Sequence, residues 1–268
     1  MAARLGIVAG AGDLPQRIAD AARGAGRDVF VLGLEGFAQP PLPQAWVRLG
    51  AAAQGIDILR AQGVTELVLA GGVRRPSLLA LRPDLRTAKF VAKIGMRALG
   101  DDGLLRAIVA ELEGEGFRVV GADTILNAAL APEGVLGKIV PDEIARGDVA
   151  RGVTAARALG ALDIGQAVVV QQGVVLGVEG TEGTDALVAR CASLALDGPG
   201  GVLVKMAKPE QERRADLPTI GPDTVVRAAD AGLRGIAVEA GAALILDRAE
   251  TIAAADARGL FIVGVPAP

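Results

Sequence analysis

The sequence predicts an α/β protein of two domains, a Rossmann-like domain over residues 1–131 and a second α/β domain over residues 132–268. Three observations predict it. Short runs rich in Val, Leu and Ile, punctuated by glycine, alternate with stretches of helical periodicity, as strands feeding crossover helices do. The first run passes through Gly10-Ala11-Gly12 directly into a helical stretch. From Thr124 to Pro141 the texture changes, with Pro132, Gly134, Gly137 and Pro141 and no clear periodicity, which places the linker near Ala131. A chain of 268 residues that is 51% apolar has material for two buried cores.

Arg4 to Ala9 reads as a buried strand, and Gly10 to Pro15 turns it into a helix from about Gln16 to Arg23, closed by Gly24 and Gly26. Glycines in such a turn let backbone approach a ligand, and the free N–H groups of the helix start suit a phosphate. A tight turn that needs glycine only for its shape is the competing reading. Pro15 stands where the dinucleotide fingerprint has its third glycine. Val29 to Leu34 is a second strand, followed by Glu35, placed as a ribose-binding acid would be. Trp46 to Leu49 forms a short strand, Ile56 to Ala61 a helix, and Glu66 to Val73 another buried strand whose exit carries Gly71, Gly72, Arg74 and Arg75. Arginines at the carboxyl end of a parallel strand are positioned to clamp phosphate, although surface arginines look the same in sequence. Helices over Phe90 to Leu99 and Leu104 to Glu113 flank Gly100-Asp101-Asp102-Gly103, where paired aspartates read as turn formers or caps, and Phe117 to Gly121 is the next strand.

The second domain opens with a helix from about Asp142 to Leu159, then a hairpin from Gln166 to Glu179 that turns at Gln172-Gly173. Gly180 to Asp185 leads into a helix that runs to Leu194, with Thr184 as a natural capper or, with the neighbouring acids, an anion or metal contact. Gly201 to Val204 is a buried strand and Pro222 begins a helix, so Lys205 to Gly221 is a strand-to-helix loop. Seven of its first twelve residues are charged (Lys205, Lys208, Glu210, Glu212, Arg213, Arg214, Asp216), against 22% for the chain. That density marks it as more than a connection. Strands at Gly235 to Ala240, Leu244 to Leu246 and Leu260 to Val265, with a helix from Ala249 to Ala257, complete the domain.

Composition narrows the chemistry. A net charge of −3 and 2% aromatic residues supply neither a basic footprint nor stacking platforms for nucleic acid. The single cysteine, Cys191, excludes an internal disulfide framework and fits a reducing compartment. No apolar stretch reaches the roughly 18 to 20 residues of a membrane span, and the first residues read as a strand of a cytoplasmic protein rather than a signal segment. With no histidine and no tyrosine, the available acid–base groups are carboxylates, lysines, the lone thiol and metal-bound water. Those are the tools of magnesium- or manganese-assisted chemistry at a phosphate.

AGAGDLP at 9–15, AGGVRRPSL at 70–78, GDDGLLRAI at 100–108, LDIGQAVVV at 162–170, VEGTEGTDAL at 178–187, MAKPEQERRADLPTIG at 206–221, VEAG at 238–241 and GLFIVG at 259–264 together resemble the LpxI-type UDP-2,3-diacylglucosamine pyrophosphatases. The resemblance spans essentially the whole chain. It implies a two-domain enzyme of lipid A synthesis that cuts a lipid-linked nucleotide sugar to UMP and 2,3-diacylglucosamine 1-phosphate with Mg2+ or Mn2+. It also implies a homodimer in peripheral contact with the cytoplasmic face of the inner membrane. One departure is that the family's glycine-aromatic-glycine-lysine stretch after the third strand corresponds here to GAAAQG at 50–55.

On this reading Asp216, Lys208, Arg214 and Glu179 are the candidate catalytic residues, and Asp216 and Asp185 the candidate metal ligands. Gly10, Gly12, Leu14, Pro15, Gly72, Arg75, Gly183, Thr184, Lys205, Thr219 and Glu239 are the candidate substrate contacts. Two other readings stand beside it. A nicotinamide-dependent oxidoreductase is supported by the first glycine turn and Glu35, and a non-catalytic nucleotide-sugar binding protein would bind the substrate without metal-dependent release of UMP.

Overall fold

The protein is described from a computed structural model over residues 3–74, 81–94 and 100–267. The chain divides into two compact units, Met1–Asn127 with Glu212–Asp216, and Ala128–Gln211 with Leu217–Pro268.

The first unit contains β1 (Arg4–Ala9), α1 (Leu14–Gly24), β2 (Val29–Leu34), β3 (Ala45–Val47), α2 (Ala52–Ala61), β4 (Val64–Ala70), α3 (Leu85–Ile94), α4 (Asp101–Gly114), β5 (Arg118–Val119) and α5 (Ala122–Ile125). Its five strands lie in the order β3-β2-β1-β4-β5, all parallel. The chain works outward from β1 to β3 and then returns to lay β4 on the other side of β1. That reversal opens a crevice at the carboxyl ends of β1 and β4, where ligands bind in open α/β sheets. Phe30, Leu32, Val47, Ile56, Leu59, Leu67, Val109, Phe117 and Val119 form one buried cluster between strands and helices.

Several boundaries differ from expectation. Helix α1 begins at Leu14 with Pro15 in its first turn, where the missing N–H costs nothing. Helix α2 begins at Ala52, four residues early, because Gly55 inside it packs against Leu32 and Val47 rather than ending it. Helix α4 begins at Asp101, so the two aspartates lie in its first turn and Gly103 inside it. The expected helix end near Leu99 lies outside the described residues.

Gly10 shows why the first turn is glycine-rich. Its amide donates to the Ala70 carbonyl at 2.7 Å, and Ala11 and Gly72 exchange hydrogen bonds at 2.9 Å each way. A Cβ on Gly10 would stand 2.6 Å from the Gly72 carbonyl oxygen, and Gly71 opposite has φ +90°. Backbone meets backbone here, so neither side can yield. Gly10→Ala is expected to lose on the order of 1–3 kcal/mol of stability, read as a lowered melting temperature.

The second unit contains β6 (Gly134–Leu136), α6 (Glu143–Ala161), β7 (Ala167–Gln171), β8 (Val174–Val178), α7 (Thr184–Cys191), β9 (Val202–Lys205), β10 (Thr219–Ile220), α8 (Pro222–Asp230), β11 (Gly235–Glu239), β12 (Leu244–Ile245), α9 (Arg248–Arg258) and β13 (Phe261–Val265). Six strands form a mixed sheet, β6-β13-β11-β9-β7-β8, and β10 pairs with β12. Its central strands are apolar on both faces because both are covered. Val168, Val170, Val202, Val204, Ala237 and Phe261 pack with Ala145, Val149, Ala156 and Leu159 of α6. Ala167, Val169, Leu203, Ile236 and Val238 pack on the other side with residues of α7, α8 and α9. The β7–β8 turn is the expected Gln172-Gly173, both at positive φ, as a tight hairpin turn requires. Strands β6 and β10, three and two residues long, were not among the strands expected from the sequence.

Candidate active site

The second sheet brings three charged residues to one edge. Strands β9 and β11 run parallel and end there at Lys205 and Glu239. Strand β7 runs the other way, so its first residue Ala167 lies opposite Lys205, and β8 returns to place Val178 opposite Val168. Glu179 follows immediately. Glu179, Lys205 and Glu239 are 6%, 9% and 7% exposed, which is unusual for side chains whose charge is costly to bury.

The two carboxylates are held by donors. Glu179 accepts from the Gln166 amide at 2.9 Å and from the Thr184 hydroxyl at 2.6 Å. Glu239 accepts from the Ala207 amide at 3.1 Å and pairs with the Arg157 guanidinium at 3.7 Å. Lys205 is different. Among the described residues its ammonium has one partner, the Thr219 carbonyl at 3.1 Å, and no carboxylate. An ammonium carries three donors, so this one retains the capacity to meet an anion.

Around this edge, the Lys208 ammonium contacts Asp163 at 2.5 Å and its amide is held by Gln211 at 2.9 Å. Its charge is already matched, and a phosphate would have to share it. Helix α7 begins at Thr184, with Gly183 as its N-cap at φ +81°. The hydroxyl expected to cap that helix reaches Glu179 instead. Asp185 is exposed and pairs with Arg227 at 3.4 Å. Thr219 lies in β10, its hydroxyl donating to the Leu217 carbonyl at 2.9 Å.

In the first unit, Gly10 is committed to packing the turns after β1 and β4, and the Gly72 amide and carbonyl are taken by Ala11, while a Cβ on exposed Gly72 would stand in open space. Gly12, at φ +86°, would place a Cβ in open space, and Leu14 and Pro15 form the start of α1 at the crevice. Gly12 is exposed, Leu14 half-buried and Pro15 buried. Arg74 is exposed, and Arg75 lies outside the described residues.

Glu212–Asp216, although flanked on both sides by the second unit, belongs to the first. The Glu212 amide donates to Asp102 at 2.6 Å, and Arg214 grips the Glu212 carboxylate bidentately, Nε and Nη2 each at 2.8 Å. Arg214 also reaches Glu113 at 2.8 Å. Ala215 packs against the first unit's apolar cluster, and the Asp216 amide closes the turn onto the Glu212 carbonyl at 3.0 Å. Arg214 was expected on the substrate's pyrophosphate, but here its guanidinium is engaged in holding this turn. Asp216 follows it, half-buried.

The Arg214 side chain, as hydrogen-bond donor to Glu212, holds that carboxyl below its usual range, outweighing burial. A lowered folded-state pKa means the stabilisation is present above about pH 4.5 and lost as the pH falls through the folded value. Glu212→Gln is therefore expected to show a shallower fall in melting temperature between about pH 5 and pH 3 than the parent. Parallel curves would contradict this coupling.

Family models for the LpxI N-terminal domain and the LpxI C-terminal domain match residues 4–129 and 132–263. The chain belongs to the LpxI family. It is also 45% identical to UDP-2,3-diacylglucosamine pyrophosphatase LpxI of Caulobacter vibrioides (strain ATCC 19089 / CIP 103742 / CB 15) over 272 residues, 98% of this chain and 97% of that protein. In this LpxI chain the residues that sequence reading passed over are those that hold the candidates in place, namely Arg157, Asp163, Gln166 and Gln211. Asp163, Gln166 and Gln211 lie inside stretches that carry the family resemblance, whereas Arg157 lies in none of them. Cys191 is buried in the core, which pushes its thiol pKa up and argues against a thiolate nucleophile.

Proposed function

We propose that this protein hydrolyses the pyrophosphate bond of UDP-2,3-diacylglucosamine to UMP and 2,3-diacylglucosamine 1-phosphate, a step of lipid A synthesis. The observation that carries this is the 45% identity, over almost the full length of both chains, to a protein of that name. The chemistry of the buried edge supports it. Lys205 is a cation without a carboxylate partner among the described residues, and a pyrophosphate is an anion in search of donors.

In the reaction a water oxygen bonds to one phosphorus, the bridging oxygen leaves on the other phosphate, and the water's protons pass to the products or to a base. Asp216 orients the water and draws its proton. Lys205 faces the charge that grows on the phosphate oxygens, with Lys208 and Arg75 as further cations, and Gly183-Thr184 offers the start of α7. Glu179 and Glu239 hold the loops around Lys205. Gly12, Leu14 and Pro15 meet the substrate in the first unit.

We infer a requirement for Mg2+ or Mn2+. Among the described residues no group of three or more acidic, histidine or cysteine side chains is arranged to hold a metal. Magnesium, however, needs only one or two carboxylates when substrate phosphates supply the rest, and Asp216 fits that demand. Asp185 fits it less well, being exposed and paired with Arg227. Bound there, the metal would lower the pKa of a water and screen the pyrophosphate. Release of UMP is expected with added magnesium and not after exhaustive chelation. Full turnover in chelator would overturn the metal requirement, and no UMP under either condition would overturn the function.

The substrate's acyl chains keep it in a membrane, so the same reading makes this a peripheral protein of the inner membrane's cytoplasmic face, working as a homodimer. No described helix is long and apolar enough to cross a membrane. Sedimentation at assay concentration is expected to give a dimer, and flotation with anionic vesicles to recover the protein.

A further inference from the structure

Asp102 is buried, 5% exposed, in the first turn of α4, whose N-cap is Gly100. One oxygen accepts the Glu212 amide at 2.6 Å, a residue 110 positions away, and the other pairs with Arg106 at 3.4 Å. The contact falls on the first residue of the five-residue turn that ends at Asp216. It sits beside two others that fix the same turn, Glu113 through Arg214 and Ala215 in the apolar cluster. A buried carboxylate that accepts a backbone amide is a strong, directional tether. Here it defines where the turn starts, and the Glu212 carbonyl in turn receives the amides of Ala215 at 2.8 Å and Asp216 at 3.0 Å.

We propose that Asp102 is a positioning residue for Asp216. It acts through the Glu212 amide and touches neither substrate nor metal, and the proposal rests on Asp216 being catalytic as argued above. Displacing a reacting group by about 1 Å costs roughly 100-fold in rate, so loosening this tether reaches turnover without reaching substrate binding.

The test compares Asp102→Ala and Asp102→Asn, alone and with Asp216→Ala, measuring kcat, KM and melting temperature for each. Asp102→Ala is expected to lower kcat about 10- to 100-fold with KM within about threefold. Asp102→Asn keeps an oxygen acceptor for the Glu212 amide and is expected to restore most of kcat, even where it stays as thermally weakened as the alanine variant. In the Asp216→Ala background, Asp102→Ala is expected to remove no further turnover, while the melting-temperature losses still add. Full kcat in Asp102→Ala, or losses that multiply in the double variant, would overturn the positioning role. Full turnover in Asp216→Ala alone would instead overturn the assignment of Asp216.

Discussion

Asp216→Ala is expected to lose on the order of 100-fold or more in UMP release while substrate binding and melting temperature stay close to those of the parent. The turn that carries Asp216 is secured by the Asp102 contact to the Glu212 amide, by the Arg214 clamp on Glu212 and Glu113, and by Ala215 in the apolar cluster. These contacts are made by Asp102, Arg214, Glu113 and Ala215, so the turn keeps them when the Asp216 carboxylate is removed. The contrary view is that Asp216 serves as a local cap or ion-pair partner. On that view the substitution costs roughly 0.5–2 kcal/mol of stability and leaves turnover nearly unchanged. Melting temperature and UMP-release rate measured on the same preparation separate the two.

Lys205→Met is expected to produce the second large effect, about 100-fold in turnover, with a melting temperature equal to or above that of the parent. Burying an ammonium at 9% exposure against one carbonyl is unfavourable for the fold, and a methionine of similar length removes that cost. On this expectation the lysine's role lies in what it binds rather than in the fold. If Lys205→Met loses stability and keeps its turnover, the lysine is structural and the anion is met elsewhere.

Much of the architecture was legible because periodicity and turn chemistry are local. The Gln172-Gly173 hairpin, Pro222 at the start of α8 and the alternation that gives the parallel sheet could all be read from residues close in sequence. The boundaries that moved did so for tertiary reasons. Gly103 reads as punctuation and Gly55 falls just before the expected helix start, yet both lie inside packed helices, where the roughly 1 kcal/mol glycine penalty is outweighed by burial. The candidate site was legible in part. The charge density of Lys205 to Asp216 marked the loop as a candidate, but sequence offered no means of dividing it. Lys205 and Lys208 stay with the second unit while Glu212 to Asp216 pack on the first, through contacts to Asp102 and Glu113 about a hundred residues away. The same blindness affects Gly10. Its glycine reads as room for a ligand, whereas the Gly71-Gly72 backbone fills that room.

The most direct test of the proposed reaction is to follow both products from UDP-2,3-diacylglucosamine with the purified protein and magnesium. Hydrolysis of the pyrophosphate predicts UMP and 2,3-diacylglucosamine 1-phosphate appearing in equal amounts from the first time point, with Lys205→Met and Asp216→Ala slowing both alike. Release of UDP with a free sugar would place the cut at the glycosidic bond and contradict the account.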